Sequence, residues 1–325
     1  THDSPLAKMV VEAREINKAR TTFIESILKF SHRGRIHADI HQMRSDAGGT
    51  VTGRFSYSNP NLQQIPARHA ILGPLIRSIF VPEKNCDWGI FDYSQQEPRL
   101  VVHYASLQEF TGASKFLDAY EEEDTTDFHQ LVADIANIPR KQAKTINLGL
   151  FYGMGKGKLM SQLGLNQEDA EDLLADYHDR VPFVRQLMKD TMYKAGKKGF
   201  LRTLRGRKCR FDMWEPKTFG VHKALPLKEA ANEYGDQMIK RAWTYKALNR
   251  LIQGSAADQT KQAMLNLYKE GYLAHIQVHD ELDFSVESDK DADRIKEIME
   301  TCVEDLIVPS KVDVERGPNW GEAGK

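Results

Sequence analysis

Apolar residues recur at helical spacing over residues 5–30, among them Leu6, Met9, Val10, Ala13, Ile16, Phe23, Ile27 and Leu28, which predicts a long amphipathic helix. Over 34–66 that period is lost. Gly48, Gly49, Gly53, Pro60 and Pro66 break a polar stretch and predict extended, loop-rich chain. Residues 88–93 (WGIFDY) form a short aromatic run that turns polar, as a strand end does, and a helix is predicted over 97–106. The stretch 118–127 (DAYEEEDTTD) reads as an acidic loop or helix start. Pro139 stands directly before a helical pattern over 140–152, where proline suits a first turn. Asn166 with Asp169 predicts a capped helix over 167–180, and 226–270 reads as mostly helical up to Gly271. Alternation over 274–287 around a central His-Asp pair predicts strand, tight turn and returning strand. A helix over 291–307 and a strand near 312–316 complete the chain. Strands flanking a helical middle indicate an α+β domain with a helical insertion.

The length of 325 residues suits two domains or one large segmented one. With 45 basic against 46 acidic groups the net charge is −1, an average that lacks the basic surplus of a nucleic-acid binder. The distribution changes that picture. Residues 194–210 hold eight basic groups and 140–160 five, both without an acid, whereas 281–305 hold ten acids against three bases. The near-zero charge is therefore a sum of opposed segments. No apolar run reaches the ~18 residues of a membrane span, so no membrane partner is expected. Cys86, Cys209 and Cys302 share no metal-ligand spacing, which points to inert thiols in a reducing, cytoplasmic setting. The start at Thr1, with no secretory pattern, suggests a fragment or processed end.

Three features carry candidate chemistry. Asp92 ends an apolar strand and Asp280 sits in a hairpin turn; poorly solvated carboxylates of this kind attract hard divalent cations, although each can also simply cap a turn. Arg140, Lys144, Leu148 and Tyr152 fall four apart along one helix face, with His129 upstream. Two cations one turn apart can hold a polyphosphate, or form a solvated basic face. The segment 50–68 places Arg54, Asn61, Gln63, Gln64 and Arg68 on a Gly/Pro-rich backbone. Such donors match the near-degenerate acceptors of a minor groove, or line an ordinary polar loop.

The segments TGRFSYSNPNLQQIPAR (52–68), DYSQQEPRL (92–100), RKQAKTINLGLFYGMG (140–155) and QVHDEL (277–282) occur in that order, with RTLRGRK (202–208) and NRLIQGSAAD (249–258) between the last two. Together they resemble the polymerase region of family A DNA polymerases, of the bacterial DNA polymerase I type and its phage relatives. The resemblance implies a right-hand polymerase fold with an antiparallel palm sheet and a mostly helical fingers subdomain. Its boundaries are expected at 1–30 (thumb base), 31–105 (palm), 106–248 (fingers) and 249–325 (second palm part). It implies two Mg²⁺ on Asp92, Asp280 and the Tyr93 carbonyl, with Glu281 in support. His129, Arg140 and Lys144 match positions that hold the triphosphate, and Lys144 is counted among the catalytic groups. Glu97 matches a steric gate against a ribose 2′-hydroxyl; Gln95, Leu148 and Tyr152 complete the nucleotide side. Arg54, Asn61, Gln63, Gln64, Arg68, Gly153, Asn249, Gln253 and His279 match DNA-contacting positions. The partners implied are primer–template DNA and dNTPs, for a monomer whose processivity factor the sequence does not reveal.

Leu148 departs from the family's usual aromatic residue, which predicts altered sugar selection and slower incorporation in a phage-like enzyme. Only residues 1–30 precede the palm-like region and no 3′–5′ exonuclease region is present, so weak, salt-sensitive DNA binding and low processivity are expected. Three other readings compete. A single-subunit RNA polymerase shares the palm and its aspartates, but Glu97 opposes ribonucleotides. A non-catalytic nucleic-acid-binding module conflicts with the intact Asp92, Asp280, Arg140 and Lys144. A two-metal nuclease on another fold conflicts with the ordered motifs.

Overall fold

The computed structural model describes residues 4–43, 48–67, 69–154, 156–218, 220 and 223–323. The chain begins with helix α1 (Pro5–Lys18), a π-helical segment Ala19–Ile24 and α2 (Glu25–Phe30). The amphipathic pattern over 5–30 is thus helical, yet of its residues only Ala19 and Ile27 are buried, and Leu6, Met9 and Ile16 are exposed. Two short hairpins follow, β1 (Ser31–His32) with β2 (Arg35–Ile36), and β3 (Asp39–His41) with β4 (Ser56–Ser58). A 3₁₀ turn over Leu62–Gln64, α3 (Leu72–Arg77) and β5 (Asp87–Tyr93) come next.

A helical stretch then contains α4 (Gln96–Leu107), α5 (Ala113–Glu122), α6 (Phe128–Ala136), α7 (Arg140–Phe151), α8 (Lys156–Leu163), α9 (Gln167–Arg180) and α10 (Pro182–Lys198). The Asn166 side chain accepts from the Asp169 amide at the start of α9, the predicted cap. Residues 118–122 close α5 and do not open a helix, because Gly112, in the left-handed region, starts it earlier. A hairpin of β6 (Phe200–Arg202) and β7 (Lys208–Arg210) leads to a three-stranded sheet of β8 (Met213–Pro216), β9 (Leu225–Pro226) and β10 (Ile239–Arg241), with α11 (Leu227–Tyr234) beside it. The helical expectation over 226–270 fails at β10: Gly235 ends α11, and Ile239–Arg241 pairs with Trp214–Pro216. Helix α12 (Ala247–Lys269) then runs uninterrupted. The hairpin β11 (Ile276–Val278) and β12 (Glu281–Val286), helix α13 (Asp289–Thr301) and β13 (Val312–Gly317) close the chain. Helix α13 stops at Thr301, six residues short of the expected 307.

Two compact units emerge. Unit 1 comprises 1–93, 263–299 and 312–325; unit 2 comprises 94–262 and 300–311. The chain passes between them at 93/94, 262/263, 299/300 and 311/312. Unit 1 is built on an antiparallel sheet in the order β11-β12-β5-β13. One face of that sheet carries Leu282, Phe91 and Phe284, all fully buried, the two phenyl rings meeting edge to face at 5.5 Å. On the other face Trp88 stacks against Trp320, whose ring also carries the Arg77 guanidinium at 4.3 Å.

Unit 2 has an aromatic core of Phe116, Phe128, Phe151, Tyr177 and Phe183, contributed by α5, α6, α7, α9 and α10. The turn between β6 and β7 is pinned to α12: Leu204 N–H donates to Ser255 Oγ, and Arg207 Nε to Asp258 at 3.0 Å. Gly254 permits this approach, since a Cβ there would lie 2.8 Å from the Thr203 methyl. No helix among the described residues is long and apolar enough to cross a membrane.

Candidate active site

Strand register assembles the acidic part of the site in unit 1. Glu281 pairs with Asp92 and Asp92 with Asp313, so the three side chains share one face of the sheet. Two residues along, Asp283, Ile90 and Glu315 form the next row on that face. The Tyr93 amide donates to the Asp280 carbonyl at 3.3 Å, which holds the hairpin turn at the end of β5. His279 adopts φ 58° within that turn. A cavity of about 320 Å³ opens here, lined by Arg77, Asp92, Glu281, Asp313, Glu315 and Trp320 among others.

These carboxylates are short of compensation. Burial, then the charges of Asp280 and Glu281, pushes Asp92 far above the usual carboxylate range, and its buried Oδ1 has no hydrogen-bond donor. Burial also raises Asp280, against the opposing influence of Arg54 and His279. Glu281 is raised by burial while Arg77 opposes, and it accepts from Trp320 Nε1 at 3.2 Å. Asp283 is fully buried, with no donor to either oxygen, and is raised well above its ordinary value by burial and by Glu281. An all-oxygen donor set in this condition suits a hard divalent cation. Among the described residues no group of three or more His, Cys, Asp or Glu side chains is placed to hold a metal ion by itself.

The Tyr93 hydroxyl donates to the Met299 carbonyl at 2.7 Å. Gln63 Nε2 donates to the Gln277 carbonyl and side chain, and Asn61 caps the 3₁₀ turn by accepting from the Gln63 amide. Both side chains thus serve unit 1 itself, whereas Gln64 is exposed. Arg68 lies outside the described residues.

Unit 2 carries the second cluster. Helix α7 sinks Ala143, Ile146, Asn147 and Phe151 into the core and leaves Arg140 and Lys144 exposed, with Leu148 half-buried. Arg140 donates through Nε and Nη2 to Asp127 Oδ2, at 2.9 and 2.5 Å. The other oxygen of Asp127 caps α6, accepting from the amides of His129 and Gln130. The His129 ring is buried and touches Asn147 at 3.0 Å; burial first, then Lys144 and Arg140, lower its pKa to about 4. Tyr152 donates its hydroxyl to Glu97 at 3.0 Å, which joins two residues predicted for separate tasks.

Gln95 adopts φ 53° at the start of α4, donates to the Thr126 carbonyl and accepts from the Phe128 amide, so its side chain ties α4 to α6. Gly153, at φ 65°, packs against the Tyr245 carbonyl, where a Cβ would lie only 2.6 Å away. Asn249 and Gln253 are half-buried on α12.

Asp283, Asp313, Glu315 and Arg77 were not anticipated, nor were Asp127, Asn147 and Tyr177. The signal for the first group was the period-two placement of acids in ELDFS and VDVE. It becomes informative only once the register is known.

A model of DNA polymerase family A matches residues 1–322 of the chain. A DNA-directed DNA polymerase of Pseudomonas phage M6 is 38% identical, over 99% of this chain and 52% of that protein. DNA polymerase I of Rhizobium leguminosarum is 31% identical, over 98% and 31% respectively. Among solved structures, the POL domain of Pol1 from M. smegmatis, in complex with DNA primer-template and dNTP, matches with a TM-score of 0.77 at 28% identity, over 99% of this chain and 54% of that one. The chain thus spans about half the length of the phage relatives it matches.

Proposed function

The chain belongs to DNA polymerase family A, and on that premise we propose that it extends a primer 3′-hydroxyl along a DNA template from dNTPs, releasing pyrophosphate. Unit 1 takes the palm role, unit 2 the fingers role, and residues 5–30 the base of a thumb. The carrying observation is the row of under-compensated carboxylates beside the Asp280 turn, above all the undonated Oδ1 of Asp92.

Asp92, Asp280 and the Tyr93 carbonyl would hold two Mg²⁺, with Glu281 steadied by Trp320 in support. Bound there, the cations supply Lewis acidity to the attacking and leaving oxygens of an in-line phosphoryl transfer. Arg140 and Lys144 bring positive charge to the triphosphate, and the neutral His129 ring brings a directed hydrogen bond. Glu97, braced by Tyr152, occupies the space of a ribose 2′-hydroxyl. Leu148 covers the sugar with apolar surface but offers no flat ring. Arg54, Asn61, Gln63, Gln64, Arg68, Gly153, Asn249, Gln253 and His279 would lie on the DNA side. Donors of this kind meet minor-groove acceptors without reading sequence.

Primer extension by the purified chain with Mg²⁺ and dNTPs tests this reading. Asp280→Asn removes one anionic ligand and should slow extension by roughly 10²–10³-fold, since a cation worth several kcal/mol is lost or misplaced. Extension by that variant within threefold of the parent chain would overturn the assignment. Equal use of rNTPs and dNTPs would turn it toward an RNA polymerase.

A further inference from the structure

Behind His129 lies a buried polar chain that neither the phosphate contacts nor the core explains. Tyr177 on α9 and Asn147 on α7 are both fully buried. The Tyr177 hydroxyl lies 2.5 Å from Asn147 Oδ1, and Asn147 Nδ2 lies 3.0 Å from His129 Nδ1. Polar groups in such a place destabilise the fold unless every one is satisfied, so the direction of each bond is determined by its neighbours.

The direction starts at the tyrosine. Burial pushes its hydroxyl pKa far up, so it keeps its proton and needs an acceptor. The one acceptor it meets among the described residues is Asn147 Oδ1. The amide carbonyl of Asn147 therefore faces Tyr177, and its NH₂ faces His129. An NH₂ group only donates, so His129 Nδ1 accepts and the ring proton resides on Nε2.

We propose that Tyr177 and Asn147 are positioning residues that lock His129 in the Nε2–H tautomer, so that the ring offers a triphosphate a donor and not a lone pair. This rests on the reading of His129 as a triphosphate contact. The opposite tautomer would set a lone pair against phosphate oxygens. A protonated ring would turn Asn147 over and leave the Tyr177 hydroxyl without an acceptor. Positive charge at the site is thus left to Arg140 and Lys144, and His129 contributes direction.

Nitrogen NMR of the full chain with ¹⁵N-labelled histidine, assigned with His129→Gln, reads the tautomer directly. A protonated Nε2 and bare Nδ1 are expected at pH 7; a protonated Nδ1 would overturn the proposal. Asn147→Asp replaces the donor by an acceptor and should move the proton to Nδ1. Tyr177→Phe keeps the ring packing but frees the amide to turn, and should give a mixture. Unchanged tautomers in both folded variants would also overturn the proposal. In primer extension, Asn147→Asp should raise KM for dNTP about tenfold with little change in kcat, and add nothing in a His129→Gln background. Equal, additive losses in both backgrounds would reduce Asn147 to a packing role. If His129→Gln leaves KM unchanged, the triphosphate assignment fails, and the NMR result separates that failure from failure of the lock.

Discussion

Asp283 offers a direct test of the acidic face. It is fully buried in β12, with no donor on either carboxylate oxygen. Its cross-strand neighbours are isoleucines on both sides, Ile276 and Ile90. Asp283→Val places a β-branched side chain in that row and removes a buried polar group whose oxygens accept no hydrogen bond, along with its interaction with Glu281. Such a group costs about 1–3 kcal/mol, so the variant should be more stable by that amount, or by roughly 1–5 °C in Tm. The pH dependence gives a second readout. The folded carboxyl is raised well above its ordinary value, so the folded state holds a proton that the unfolded state releases near pH 4. Its contribution is therefore most favourable below that pH and is lost as pH rises toward the folded value. Urea melts of the metal-free chain at pH 5, 6, 7 and 8 should show the stability gained by Asp283→Val over the parent chain growing as pH rises. A variant destabilised by 1 kcal/mol or more, or one with an unchanged pH slope, would refute this account.

Other predictions concern unit 2. His103 is buried, and burial lowers its pKa to about 4, with Asp305 opposing. The unfolded imidazole binds its proton near pH 6.5, so this contribution is complete above that pH and is lost on acidification toward pH 4. At about 1.4 kcal/mol per unit the loss is on the order of 3 kcal/mol, and His103→Gln should flatten that limb of an acid titration followed by circular dichroism. Leu148→Phe should change incorporation rate or dideoxynucleotide discrimination, and steady-state kinetics showing neither would end the sugar-packing idea. Gly153→Ala forces a Cβ to 2.6 Å from the Tyr245 carbonyl at φ 65°, and should lower stability by about 1–3 kcal/mol in a thermal melt.

Elements whose local chemistry is self-contained were legible in the sequence. The WGIFDY strand, the hairpin around Asp280 and the Asn166 cap each carry their own signal and each formed. The errors arose where pairing partners decide. Ile239–Arg241 became a strand because Trp214–Pro216 was available to it, which no local pattern announces. The site divides in the same way. Asp92, Asp280, Glu281, Arg140 and Lys144 were visible as motifs, and register alone brought Asp313 and Glu315 to the face of Asp92. Gln95 was legible only through the family resemblance, and its bonds to Thr126 and Phe128 depend on a left-handed backbone that no local pattern signals.

The division of labour between the two oxygens of Asp127 has an energetic consequence. Oδ1 holds the amides at the start of α6, and Oδ2 holds the Arg140 guanidinium. An arriving polyanion can use the guanidinium's remaining N–H donors or exchange with the carboxylate already there. The pair is partly exposed, and exposed pairs are worth about 0–1 kcal/mol, so the exchange subtracts little from affinity. Because the cap uses the other oxygen, the guanidinium can change partners while the first turn of α6, and His129 with it, stays wound. Asp127 is a parking place for the arginine, and leaving it does not loosen the helix that carries the histidine.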